Sequence, residues 1–392
     1  MKEVYIVAAK RTPIGGFLGN LSGYSATQLG AISIDGALTQ AGVPKDAIGS
    51  VYMGNVLSAN LGQSPARQAA RLAGIDDRTD ATTINKVCSS GMKAVMMGSQ
   101  QIQLGIDDIV VAGGMESMSN VPHYINYRSV AKMGDSTLTD GLLRDGLTDA
   151  YNGDHMGKAA ELCVRHYNIS REEQDAYALA SYARAGKASK EGKFSNEVIP
   201  VDIKQKAQII SIAEDEDISK LIPEKVAVLK PSFEANGSIT AANASNLNDG
   251  AAALVLASGD AIKKFGLTPL AKIIGYADGA QAPEWFTTSP SIAIPKALAH
   301  AGLNLEDINY FEINEAYSAV ILANQRLLGI APEKINIYGG GVAMGHPIGA
   351  SGARILVTLT TVLAREGGRY GVAAICNGGG GASAIVIENL QN

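Results

Sequence analysis

Short apolar runs alternate with longer stretches whose apolar residues return every three to four positions. The run from Glu3 to Ala9 is stopped by Arg11-Thr12-Pro13, and Ser50 to Gly54 and Ala81 to Ile84 are two more runs of strand length. Between the first two, Ser25 to Ala41 has helical spacing and ends at Gly42 and Pro44, residues that stop helices. Met92 to Leu104 repeats that spacing, and Asp108 to Ala112 is again a strand, ended by Gly113-Gly114. This alternation predicts an α/β fold with a largely parallel sheet and helices on its faces. From Ser117 to about Gly250 the texture turns polar, with a helical patch at Glu172 to Glu191 and an acidic loop, Glu214-Asp215-Glu216-Asp217. Strand-like runs resume at Ala251 to Ala257 and again from Leu270. The chain thus reads as a first half (1–118 with 250–269), an inserted loop unit (119–249) suited to substrate recognition, and a second half (270–392).

The two halves echo each other. Thr82 to Ser117 runs strand, Cys-Ser-Ser-Gly turn, helix, apolar strand, Gly-Gly. Ile335 to Ser383 runs strand, Gly-His-Pro-Ile-Gly-Ala-Ser-Gly turn, helix, apolar strand, then Cys-Asn-Gly-Gly-Gly-Gly. The order of elements matches although few residues do. Two such halves facing each other would bring four special segments to one centre.

Composition narrows what that centre does. The chain has 392 residues, 46% hydrophobic, with 33 basic and 38 acidic side chains and a net charge of −5. No basic stripe is present, which argues against nucleic acid as a partner. No apolar run is long enough to span a membrane. The start reads as a strand, without the basic and apolar regions of a signal peptide. Cys88, Cys163 and Cys376 are too far apart in sequence for a disulfide framework or a close-spaced zinc motif, so a cytoplasmic protein with reduced thiols is expected. Charged residues are only 18%, which suits a surface partly covered by neighbouring subunits.

Cys88 follows a strand and opens a helix, where unpaired N–H groups and the helix dipole favour a thiolate nucleophile. The plain alternative is a small buried hydrophobe. His346 lies in Gly345-His346-Pro347-Ile348-Gly349, a turn that restricts its backbone and suits a base. Cys376 ends an apolar strand and opens the glycine run that includes Gly378, which could cradle a phosphate, bind an oxyanion or simply let a helix pack closely on the sheet. Asn314 stands between a strand and a helix, where taken alone it reads first as an N-cap. Cys163 reads as a helix-core residue without chemistry.

Together these segments resemble the thiolase family. The resemblance covers nearly the whole chain, through Val4 to Gly15, Asn85 to Ala94, Gly113 to Ser119, Asn243 to Ala253, Asn314-Glu315-Ala316-Tyr317, and the Gly-His-Pro and Cys-Asn-Gly-Gly-Gly-Gly segments. It implies two similar halves in a five-layer α-β-α-β-α arrangement with an inserted loop domain. It also implies reversible condensation of two acetyl-CoA to acetoacetyl-CoA and CoA, by a ping-pong route through acetyl-Cys88. On that likeness Cys88 carries the acyl group, His346 activates it, and Cys376 moves protons to the leaving CoA and from the incoming methyl. Asn314 fixes a water at the thioester oxygen, and the N–H groups of Cys88 and Gly378 form a further oxyanion hole.

Ser245, His155, Met156, Tyr182 and Phe286 match CoA-contacting positions, and no covalent cofactor is implied. Asp154-His155-Met156-Gly157, Phe286 and Asn377 lean toward the short-chain branch, and Tyr317 replaces the more usual Phe. Tyr182, Ala241, Ala242, Ala244 and Val342 match a potassium site of that branch, and a homotetramer built from dimers is implied. A thiolase for longer chains, a ketoacyl synthase or a non-catalytic CoA-binding protein are the neighbouring alternatives.

Overall fold

The computed structural model describes residues 1–125, 127–129, 133–206 and 208–391. A few positions of the proposed loop unit, and residue 392 of the proposed second half, lie outside that description. The main sheet contains β1 (Val4–Arg11), β2 (Ser50–Gly54), β3 (Asp80–Ile84), β4 (Ile109–Ser117), β5 (Asn248–Ser258), β6 (Ala271–Ala280), β7 (Tyr310–Ile313), β8 (Tyr370–Asn377) and β9 (Gly381–Asn389). The helices that pack on it are α1 (Ala26–Ala41), α2 (Pro65–Leu72), α3 (Ser90–Gln103), α4 (Pro290–Ala301), α5 (Ser318–Leu328) and α6 (Ile348–Glu366).

Strand order across the sheet is β3-β2-β4-β5-β1-β6-β9-β8-β7. Outward from the middle, β1, β5 and β4 pair antiparallel, and β4, β2 and β3 pair parallel. The other side repeats the scheme. β6, β9 and β8 pair antiparallel, β8 and β7 parallel, and a parallel bridge from Phe311 to Ile335 stands where β3 stands in the first half. The echo in the sequence is therefore a structural repeat. The halves meet where Val4–Ile6 pairs with Ala271–Ile273. A largely parallel sheet was expected, and only the outer strands are parallel. The expectation failed because the antiparallel pairs are joined either by a tight hairpin, as at residues 378–380 between β8 and β9, or by long excursions that allow either direction, and not by short βαβ crossovers.

Strand residues alternate between two cores with period two. In β5, Ala251, Ala253, Val255 and Ala257 join the cluster under α1 and α2, while Ala252, Leu254 and Leu256 join a central cluster. In β8, Val372, Ala374 and Cys376 face α4 and α5, while Ala373 and Ile375 face the centre. The central cluster holds α3 and α6 between strands of both halves. This gives five layers: α1/α2, sheet, α3/α6, sheet, α4/α5. Strands covered on both faces read as unbroken apolar runs, which is why the sequence showed them so clearly.

β4 does not stop at Gly113-Gly114 but runs through them to Ser117. A Cβ on Gly113 would lie 2.1 Å from the Ala252 carbonyl oxygen, so this glycine serves close packing within the sheet and does not end the strand. Between β4 and β5 the chain forms small hairpins and the helices Met156–His166 and Arg171–Lys190. The acidic loop folds inward. Asp215 pairs with the fully buried Arg11 at 2.7 Å, and Asp217 accepts from Asn248 at 2.8 Å. Among the described residues no helix is long and apolar enough to cross a membrane.

Candidate active site

β3 ends in the turn that carries Cys88. Val87 has φ +48°, a left-handed conformation that strains a β-branched residue by roughly 1–3 kcal/mol. The turn holds it there. Val87 N–H donates to Asn85 Oδ1 (3.0 Å), Ser90 Oγ donates to the Val87 carbonyl (2.6 Å), and Lys86 N–H donates to Ser90 Oγ (2.8 Å). Ser89 Oγ donates across to the second half, at Ile375 O (3.1 Å) and Asn377 Oδ1 (2.9 Å). The Cys88 turn and the Cys376 segment are thereby tied together.

Cys88 retains some surface, yet protein surrounds its thiol and burial pushes it up to about 11. The N–H groups of Gly378 and Cys88 act in the opposite direction without overcoming burial. The expected standing thiolate is therefore corrected to a thiol, because desolvation outweighs the helix-terminus effect. Lys86 and Lys93 do not offset it. Both bind Asp278, at 2.5 and 2.7 Å.

His346 belongs to the turn before α6. A Cβ on Gly91, near the start of α3, would lie 2.9 Å from both Ala353 N and Gly349 O. Only glycine lets the two helix starts approach so closely, and that approach brings their preceding turns to one site. His346 N–H donates to Asn248 Oδ1 at 2.9 Å. Its Nδ1 lies 2.5 Å from Ser351 Oγ, whose hydroxyl donates to the Pro347 carbonyl at 2.9 Å. With the serine proton so engaged, the ring proton sits on Nδ1 and Nε2 is left as the acceptor. That Nε2 is buried without a partner among the described residues. Burial first, and the charge of Arg354 second, push the imidazole down to about 3, so it is a neutral base.

Cys88, His346 and Gly378 line one cavity of about 350 Å³. Ser245, His155, Met156 and Phe286 line it too, as do Ala241 and Ala244. His155 caps its helix through Nδ1 and stacks on Phe233 with ring centres 4.7 Å apart. Ser245 Oγ donates to Ala316 O at 3.0 Å. Cys376 and Asn314 lie behind this lining, fully buried. Burial, then the charge of Cys88, raises the Cys376 thiol well above its ordinary value. Asn314 is not an N-cap, since α5 begins at Ser318 with Tyr317 before it, and both polar atoms of its side chain are buried without a partner among the described residues. Cys163 is buried in a helix core, as expected.

Tyr182, Ala242 and Val342 stand outside the cavity wall. Tyr182 and Val342 pack together in a separate cluster with Ile14 and Tyr338, and Tyr182 does not line the cavity that Ser245 and Phe286 share. Sequence reasoning missed Phe233, Ser351 and Glu116. Phe233 lies in a stretch without periodicity, so nothing marked it. Ser351 and Glu116 stood inside quoted motifs, where their spacing from His346 and their burial gave no sign of partners.

A thiol, a neutral imidazole and a glycine turn at one cavity, with a second buried thiol near them, are groups that covalent acyl transfer uses. Residues 4–260 match the thiolase N-terminal domain and residues 267–389 the thiolase C-terminal domain. The chain is 54% identical to acetyl-CoA acetyltransferase 2 of Arabidopsis thaliana, over 99% of this chain and 98% of that protein. It is 52% identical to the mitochondrial acetyl-CoA acetyltransferase of Bos taurus, over 100% of this chain and 92% of that one. The fold superposes on the Acat5 thiolase of Ascaris suum, crystallised with coenzyme A, with a TM-score of 0.95 and 48% identity over 99% and 100% of the two chains. The acetyl-CoA acetyltransferase of Bacillus anthracis gives a TM-score of 0.97 at 40% identity, over 100% and 99%. The chain belongs to the thiolase family.

Proposed function

We propose that the protein is an acetyl-CoA C-acetyltransferase that condenses two acetyl-CoA to acetoacetyl-CoA and CoA, and runs the reverse thiolysis. The observation that carries this reading is one cavity sharing a thiol, an unpartnered imidazole Nε2 and the Gly378 N–H. His346 Nε2 takes the Cys88 proton as Sγ attacks the acetyl carbonyl. The carbonyl oxygen gains charge against the N–H groups of Cys88 and Gly378, donors worth roughly 3 kcal/mol each. The C–S bond to CoA breaks, and Cys376 gives its proton to the departing CoA sulfur. The Cys376 thiolate then takes a proton from the methyl of a second acetyl-CoA. The new carbon nucleophile attacks acetyl-Cys88, and Cys88 leaves and recovers its proton from His346. The two unpartnered side-chain atoms of Asn314 suit the water that the family resemblance places against the thioester oxygen.

The potassium site belongs to the same reading. The carbonyls of Ala241, Ala242 and Ala244 take no hydrogen bond from the described residues, and Asn246 in the same segment acts on the Tyr182 hydroxyl. Neutral oxygens fit a large monovalent cation. Such an ion would tie the Ser245 loop to the turn before His346. The homotetramer is supported by apolar residues left exposed before and after position 130, among them Tyr127, Met133 and Leu138. One assay tests the reading: thiolysis of acetoacetyl-CoA against a longer 3-ketoacyl-CoA, run in KCl and in NaCl at equal ionic strength. Preference for the four-carbon substrate and a lower KM in KCl are expected. A preference for the long chain refutes the substrate, and identical kinetics in the two salts refute the ion.

A further inference from the structure

The mechanism above makes no use of Glu116, a fully buried carboxylate near the end of β4. It accepts four hydrogen bonds. Asn55 Nδ2 (2.8 Å) and Leu57 N–H (3.2 Å) donate to Oε1, and Val56 N–H (3.0 Å) and Gly349 N–H (2.9 Å) donate to Oε2. Three of these donors lie just after β2, in the first half. The fourth is in the first turn of α6, in the second half and three residues past His346. None of the four donors is a cation, so the carboxylate charge is held by N–H groups alone.

The first turn of α6 has little freedom around this contact. A Cβ on Gly349 would come 2.7 Å from Glu116 Oε2, and a Cβ on Gly114 would come 2.1 Å from Gly349 O. The same turn contains Ser351, which fixes the His346 ring through Nδ1. Glu116 is thus joined to the imidazole by one short rigid piece of backbone. It also acts on the nucleophile, because its negative charge opposes ionisation of Cys88. Charged and titratable groups facing Glu116 are Asp249 from β5 and Cys88 before α3. Four N–H donors favour the carboxylate form, whereas burial first and Asp249 further down push it up to about 7.

We propose that Glu116 is a positioning residue for the catalytic pair. It pins the start of α6 to the Asn55–Leu57 loop so that His346 Nε2 stays aimed into the cavity. Its charge adds to the burial that already holds Cys88 as a thiol. The proposal rests on the acyl-transfer reading, and the two can fail separately.

The test compares Glu116→Gln, Glu116→Asp and Asn55→Ala in the full chain, measuring kcat and KM for thiolysis, melting temperature, and the pH profile of Cys88 alkylation by iodoacetamide. Gln places an NH₂ group among N–H donors. In E116Q kcat should fall about a hundredfold with KM within about threefold of wild type, because a misplaced base affects turnover more than binding. Alkylation of Cys88 should move to lower pH as the opposing charge disappears, which a merely structural defect would not cause. E116D should recover part of kcat. A kcat within about threefold of wild type, or an unmoved alkylation profile, overturns the proposal. If E116Q does not fold, N55A decides: about a fivefold fall in kcat at constant KM supports the pin, and an unchanged kcat overturns it. Absence of thiolysis in the wild type would instead refute the acyl-transfer reading, while the alkylation profile would still report on the pin.

Discussion

Replacing His346 by Asn should expose how much the imidazole contributes to making the nucleophile. Cys88 is held as a thiol up to about 11. At pH 8 that lies about three units below its titration, so roughly one molecule in 10³ carries a thiolate, equivalent to about 4 kcal/mol. In the wild type the neutral imidazole accepts the proton as attack proceeds, so a free thiolate need not form first, and a positioned general base of this kind contributes about 10²–10⁴-fold. The ring is pushed down to about 3, so it is available as a base across the whole neutral and alkaline range. Acyl-enzyme formation by the wild type should therefore be nearly flat from pH 7 to 9.5. In the variant, only the pre-formed thiolate can react. The rate at pH 8 should fall about 10³-fold and climb about tenfold per pH unit, because each unit multiplies the thiolate tenfold. Cys376 is no substitute, since burial and the charge of Cys88 raise its own thiol well above the ordinary value. The assay is rapid quench with acetyl-CoA followed by intact-protein mass spectrometry, counting acetylated chains. A variant within about tenfold of wild type at pH 8, or one whose rate does not depend on pH, would refute the reasoning.

Cys376→Ser should separate the two thiols. Acetyl-Cys88 should still form, while condensation should fall by about 10³-fold or more, because a hydroxyl is a much weaker acid–base group than a thiol. Equal acetylation of Cys88→Ser and Cys376→Ser in mass spectra would contradict the assigned roles. Acid stability tests the buried imidazole. Its folded value is depressed to about 3, whereas the unfolded ring titrates near 6.5. The stability it contributes is therefore complete above pH 6.5 and lost as pH falls toward 3. By pH 5 wild type should have lost about 2 kcal/mol relative to His346→Asn, read from urea unfolding at the two pH values. The raised carboxyls Glu116 and Glu312, at about 7 and about 8, act in the opposite sense but are present in both proteins and cancel. A gap between the two proteins that does not change with pH would show that the ring is not buried in its neutral form.

The repeat of strand order was legible before the structure because βαβ order survives when residues diverge, and β4 and β8 are apolar on both faces. The direction of the central strands was not, since it depends on connections whose path the apolar pattern does not record. Cys88, His346, Cys376 and Asn314 stood out because each interrupts a regular element at its end. Tyr182 gave no such signal for the opposite reason: it sits within a regular helix, and only the packing of that helix on Val342 shows where the ring lies.

The electrostatics were illegible for a deeper reason. A helix N-terminus is a local feature, visible in Cys88-Ser89-Ser90-Gly91, and it argues for a thiolate. Desolvation is a global feature, set by how closely Gly91, Gly114 and Gly349 let α3, β4 and α6 approach. The glycines were visible in the sequence, but their effect is exerted on other residues. By removing side chains they bring protein around the thiol and leave it without water. The same closeness presses His346 into a dry pocket where it stays neutral. A neutral thiol beside a neutral base keeps the resting site free of an ion pair, and charge develops only as substrate arrives, where N–H groups already wait for it. The glycine content of these motifs is thus part of the catalytic chemistry as well as of the packing.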